Sequence, residues 1–170
     1  MITISYCQMM ARYNAWMNNR LFQVCNDIDD TERKRERGAF FGSIHGTLNH
    51  FLYGDLASMA RFTGEPAEVP VLGKWLHDDF EALWTARQAL DHRLTVWSSD
   101  ISEDWMTTLL TYTSQVDSIT RTLPSWVLVV HMFNHQTHHR GQVTTLLSQL
   151  SMDISSTDIP FMPEFTIDWN

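Results

Sequence analysis

Four histidines, His131, His135, His138 and His139, stand within nine residues of a 170-residue chain that carries eight in all. On a helix, where each residue turns ~100°, His135 and His139 lie ~40° apart and one turn displaced. Two imidazoles so placed can converge on one cation, which is half of a metal site. His131 extends the same stripe, whereas His138 points ~100° away from His139. A catalytic metal centre commonly has three protein ligands and one position open to water or substrate. The third ligand must then come from elsewhere in the fold. His50 is the best candidate, because it lies in "GTLNHFLYGD" among apolar residues that should face inward, where a bare imidazole needs a partner. His45 sits ~140° round the same helix and is not expected to share the ion, while His77 and His92 fall on a charged helix and read as surface. An isolated core histidine is more often hydrogen-bonded than ligating, so the case rests on the local pair.

Competing chemistries fail on the string itself. "HQTHH" (135–139) has the outer spacing of H-E-x-x-H, but Gln136 replaces the glutamate that a metalloprotease uses as general base. No glutamate has a histidine three residues later, as a di-iron carboxylate bundle requires. The cysteine pairs of zinc fingers and deaminases are missing, as are G-x-S-x-G and a phosphate-binding glycine loop.

The elements that must position these rings are helical. Ile4 to Asp29 contains neither Gly nor Pro, and Tyr6, Met9, Met10, Tyr13, Trp16, Met17, Leu21, Val24 and Ile28 wrap most of a helix, predicting burial on more than one side. The run Arg33-Lys34-Arg35-Glu36-Arg37 reads as a solvated turn, with a patch for an anionic ligand as its alternative. Gly42-Ser43 opens a second helix to about Phe62, and Gly64, Pro66, Pro70 and Gly73 mark a loop. A third helix is predicted from about Trp75 to Trp97, with Asp78-Asp79 near its start, where negative charge suits the helix dipole. Residues 105–122, rich in Thr, Tyr, Val and Ile, predict two strands with a turn near Gln115 to Ser118. Pro124 should begin a fourth helix that continues through Gly141 to about Leu150, with irregular chain from Ser151 onward. These elements predict an all-α four-helix bundle with a short β-like excursion between helices three and four, forming one domain over residues 1–170. Trp16, Trp84, Trp97 and Trp126 read as core.

Composition narrows the partners. Twenty Asp and Glu against twelve Lys and Arg give −8, so no overall basic field draws nucleic acid. With 44% apolar and 19% charged residues the chain should fold by itself. Neither a signal peptide nor an apolar run of ~18–20 residues is visible, so no membrane span is expected. Cys7 and Cys25 on one helix would lie ~27 Å apart, too far for a disulfide, and read as reduced buried thiols of a cytoplasmic protein.

The stretches "YNAWMNNRLF" (13–22), "FFGSIHGTLNHFLYGD" (40–55), "NHQTHHRGQVTTLL" (134–147) and "DIPFMPE" (158–164) resemble the DinB/YfiT-like family of bacterial metal-binding four-helix bundles, over nearly the whole chain. This is the DNA-damage-inducible family, unrelated to the polymerase of the same name. The resemblance implies an up-down-down-up bundle, frequently dimeric, whose divalent ion, often zinc or nickel, is held by three histidines, which fall here on His50, His135 and His139. Family members of known activity transfer low-molecular-weight thiols, as bacillithiol transferases and the mycothiol-dependent maleylpyruvate isomerase do.

The expected chemistry is therefore metal-assisted transfer of a small thiol, such as glutathione, to an electrophile, because a thiol of pKa near 8.5 is only a few per cent thiolate at pH 7. Metal-dependent hydrolysis and a non-catalytic metal-binding stress protein are the alternatives. A fourth protein ligand, His131 or Asp55, would favour the structural role. Arg140, beside His139, is a candidate to receive carboxylates of the thiol, as are Arg12, Arg20 and Arg61. Asn14, Asn18 and Asn49 lie within apolar faces and could orient a substrate or a ligand imidazole, with structural hydrogen bonding explaining them equally well.

Overall fold

Thr3, Ser43 and Asp79 each start a helix in the same way, with a side-chain oxygen accepting the backbone N–H three residues on. The computed structural model describes residues 1–66, 69–71 and 73–166. Along the chain it contains α1 (Ile4–Asn26), a short α2 (Asp30–Lys34), α3 (Ile44–Thr63), α4 (Phe80–Asp100) and a short α5 (Glu103–Thr107). An antiparallel hairpin follows, β1 (Leu109–Thr113) and β2 (Thr120–Pro124), and then α6 (Ser125–Ser148). Its register runs from Leu109 opposite Pro124 to Thr113 opposite Thr120. The described part of the tail includes two 3-10 turns, Ile159–Phe161 and Pro163–Phe165.

Both α1 and α3 pack along α4 and along α6, so α1 and α3 occupy one diagonal of the bundle and α4 and α6 the other. This is the up-down-down-up arrangement, in which the long 64–79 connection lets α3 and α4 run the same way. Phe22 of α1 meets Phe51 of α3 edge-on at 6.3 Å and stacks on Phe80 of α4 at 5.7 Å. Trp16, Trp84, Trp97 and Trp126 pack against the same core. A polar layer crosses it. Arg87 of α4 pairs with Asp55 of α3 at 2.7 Å and with Asp91 at 2.9 Å, and Asn18 of α1 donates to Asp91. Arg140 of α6 donates to Asn14 of α1 at 2.7 Å and to Gln136 at 3.2 Å.

Three expectations are corrected. The third long helix begins at Phe80 rather than Trp75, because Asp79 caps it and residues 73–79 are held as a loop: the side-chain Oδ1 of Asn49 accepts the N–H groups of Leu76 and His77. His77 is therefore a loop residue. The basic run is no solvated turn at its first member. Arg33 is buried, donates to the carbonyls of Cys25 and Ile28, and lies 4.2 Å over the Phe80 ring, so it closes the C-terminal end of α1. Pro124 ends β2 and precedes the first residue of α6, one position from the expected start. Cys7 and Cys25 are both buried on α1 and unpaired. No helix among the described residues is long and apolar enough to cross a membrane.

Candidate metal centre

The helical spacing brings His135 and His139 together on α6, and the α3–α6 packing brings His50 to them. The Nε2 of His135 lies 3.2 Å from Nε2 of His50 and 3.0 Å from Nε2 of His139. One nitrogen from each of the three rings lies within 4.8 Å of the others, and among the described residues no fourth His, Cys, Asp or Glu joins the group.

Two glycines make room for this. A Cβ on Gly54, one turn after His50, would come within 2.6 Å of Cε1 and 3.0 Å of Nδ1 of His135, so the His135 ring lies directly on the bare backbone of α3. At Gly46 a Cβ would meet the Phe41 carbonyl oxygen at 2.1 Å. That close approach sets Phe41 over the first turn of α3, where its ring stacks on His50 with centroids 3.7 Å apart. The third ring is oriented from its own helix. His139 Nδ1 is 2.8 Å from the side-chain Oε1 of Gln142, which can only accept, so the proton sits on Nδ1 and the Nε2 lone pair faces the other rings. Gln142 in turn donates through Nε2 to His138. Three neutral imidazole nitrogens converging, one of them fixed by an outer hydrogen bond, are a donor set suited to a divalent transition-metal cation.

The electrostatics keep these rings neutral. Burial pushes His50 down to about 4 and His135 down to about 3, helped by the charges that the neighbouring histidines would carry, and burial also lowers His139. Protons therefore compete little for the His50 and His135 nitrogens between pH 7 and 5. Three ordinary histidines of pKa 6.5 would lose roughly 10⁴-fold in metal affinity over that range, whereas this set, with two rings far below it and the third lowered, is expected to lose less than about 30-fold. Equilibrium zinc binding at the two pH values measures the difference, and a steep loss would contradict the environment described. The metal-free protein should behave oppositely in stability. Below pH 6.5 the unfolded chain binds protons on these histidines that the folded chain refuses, so stability falls as pH drops from 6.5 towards 4.

The centre lines a cavity of about 850 Å³ whose walls include Phe40, Phe41, Tyr53, Trp75 and Val116. A smaller cavity of about 280 Å³ adjoins it under the hairpin, and His50, His131 and His135 line both. His131 thus borders the site without joining the cluster. Asp55 is not part of it either, being fully buried against Arg87. The expected substrate-binding residues lie elsewhere or are otherwise engaged. Arg140 and Asn14 are buried partners of each other and line neither cavity. Arg12 pairs with Glu164 at 2.8 Å, and Arg20 donates to the carbonyls of Ser156 and Ile154. Asn49 borders the larger cavity, but both ends of its amide hold the 76–77 loop and the His45 carbonyl. His45 is buried and donates through Nε2 to the His77 carbonyl at 2.9 Å. Sequence reasoning missed Gly54, Phe41 and Gln142. Only Gln142 carried a readable signal, standing three residues after His139 on the same helix.

Comparison with known proteins agrees with this architecture. The profile of the DinB family matches residues 1–169. The chain belongs to the DinB family. The protein DinB of Bacillus subtilis (strain 168) is 25% identical over an alignment of 152 positions, which covers 86% of this chain and 87% of that protein. In fold, the chain is similar to the crystal structure of a DinB-like protein from Bacillus cereus ATCC 10987, with a TM-score of 0.64 at 17% identity, covering 85% of this chain and 91% of the other. At that identity the likeness shows the fold of this DinB-family chain, and the three-histidine cluster is read from its own geometry.

Proposed function

We propose that this protein holds a divalent cation, zinc or nickel, on His50, His135 and His139, and there activates a low-molecular-weight thiol for transfer to an electrophilic substrate. The observation that carries the reading is the convergence of three imidazoles, His135 Nε2 standing 3.2 Å from that of His50 and 3.0 Å from that of His139, on the wall of an aromatic-lined cavity, with no fourth side-chain ligand among the described residues. A structural zinc would usually take four protein ligands. What a bound divalent cation supplies here is charge, which favours the thiolate of a small thiol taken as its fourth ligand. The chain's own part is positional. Gln142 holds His139 in the ligating tautomer, Phe41 covers the His50 ring, and the aromatic walls limit water around the reacting sulfur.

The thiol has to be a small molecule, since burial pushes Cys7 up to about 11 and Cys25 up to about 12, leaving both protonated in the core.

The test combines elemental analysis of the purified protein with a panel of thiols, glutathione included, and electrophiles. Near-stoichiometric metal and thiol-dependent turnover that chelation abolishes and added zinc or nickel restores are expected. Stoichiometric metal with no thiol consumption across the panel would reduce the protein to a metal binder.

A further inference from the structure

Although the chain carries −8, no aspartate or glutamate lines either cavity among the described residues. The charges that do border them are cationic. Lys74 lies on the larger cavity and Arg61 and Arg121 on the smaller one. Arg121 is neutralised by Asp117 at 3.0 Å. Arg61 differs from Arg121 and from the other arginines weighed as carboxylate receivers, Arg12, Arg20 and Arg140, all of which are committed to protein acceptors. Among the described residues Arg61 has neither a carboxylate nor a carbonyl acceptor, and its guanidinium lies 4.2 Å over the ring of Tyr112 beneath the hairpin. A half-buried guanidinium without an acceptor loses hydration without compensation, and aromatic stacking leaves its N–H edge free to donate. Because His131 and His135 line both cavities, one small molecule can reach from the histidine centre into the side cavity.

We propose that the side cavity is an anion subsite in which Arg61 receives a carboxylate of the thiol that occupies the three-histidine centre. This rests on the reading of that centre as one that takes a small thiol. The planar guanidinium suits a carboxylate because its N–H groups match the two oxygens in paired, charge-assisted hydrogen bonds.

The test uses the full chain loaded with cobalt(II), whose sulfur-to-metal absorption reports thiol binding. Mercaptocarboxylates of two to five methylenes are titrated beside their neutral methyl esters. For at least one chain length the acid should bind about tenfold or more tightly than its ester. Arg61→Gln should erase that preference while leaving ester affinity and cobalt stoichiometry unchanged, and Arg61→Lys should retain part of it. Equal binding of acid and ester, or a preference that survives in Arg61→Gln, overturns the subsite. A metal-free arm separates the two readings, in which glutarate is titrated against the side-chain Nε–H resonance of Arg61. A saturable shift without any thiol binding to cobalt would keep the subsite and remove the thiol reading. Thiol binding without carboxylate preference, together with no glutarate shift, would do the reverse.

Discussion

Gly54→Ala is expected to abolish zinc binding at the three-histidine cluster nearly as thoroughly as His135→Ala. The added methyl would sit 2.6 Å from Cε1 of His135, well inside contact distance, and its neighbours are the rigid backbone of α3 on one side and an imidazole ring on the other. The ring must swing away, and with it goes the Nε2 that stands 3.0–3.2 Å from both other ligand nitrogens. Loss of an outer-shell partner alone typically weakens a metal site 10–100-fold, so displacement of a ligand should cost about 100-fold or more in zinc affinity. Fold stability should move little, because replacing a mid-helix glycine by alanine favours the helix by about 1 kcal/mol and offsets part of the overpacking cost. Zinc titration and urea unfolding of the same preparation separate the two effects. Full zinc affinity in Gly54→Ala would show that the His135 ring has another productive position.

That glycine illustrates where the sequence stops speaking. The pairing of His135 with His139 follows from helical periodicity alone, and His50 stood out because an imidazole lay amid residues bound for the core. The bundle followed from four long periodic segments and their connections. Gly54 looks like an ordinary helical glycine until α6 is packed against α3, and its role is a distance between elements some eighty residues apart. The same limit explains the arginines. Four of them were candidate carboxylate receivers, Arg140 foremost because it adjoins His139, and only tertiary pairing distinguishes Arg140, which meets Asn14 126 residues away, from Arg61, which meets an aromatic face. Asn49 was read as a possible substrate ligand because local pattern cannot show that the loop preceding α4 returns to it. The basic run misled for a related reason: charge density suggested solvent, but Arg33 has backbone carbonyls at the end of α1 within reach.

Arg87→Met should destabilise the fold by about 3–5 kcal/mol, since removing one partner of a buried pair leaves the other without compensation. Arg87 is fully buried between Asp55 and Asp91, and it ties α4 to α3 at the residue next to Gly54. Burial pushes the Asp55 carboxyl up to about 7 even with Arg87 beside it. Without the guanidinium that carboxyl is driven further towards its neutral form. The folded variant then holds a proton that the unfolded chain, with an ordinary aspartate, releases above about pH 4. Its stability should accordingly keep falling as pH rises from 7 to 9, where that of the wild type, its Asp55 by then ionised, levels off, which urea unfolding at the two pH values measures. Replacing both partners, Arg87→Met with Asp55→Leu, should recover part of the loss, because it removes the buried, unpartnered carboxyl along with the pair. A double variant no more stable than Arg87→Met would assign the loss to packing of the long arginine stem rather than to the buried charge. The comparison bears on the metal centre as well: α3 presents Asp55 to α4 and the adjacent Gly54 to His135, so slippage of the first contact moves the floor on which the second rests.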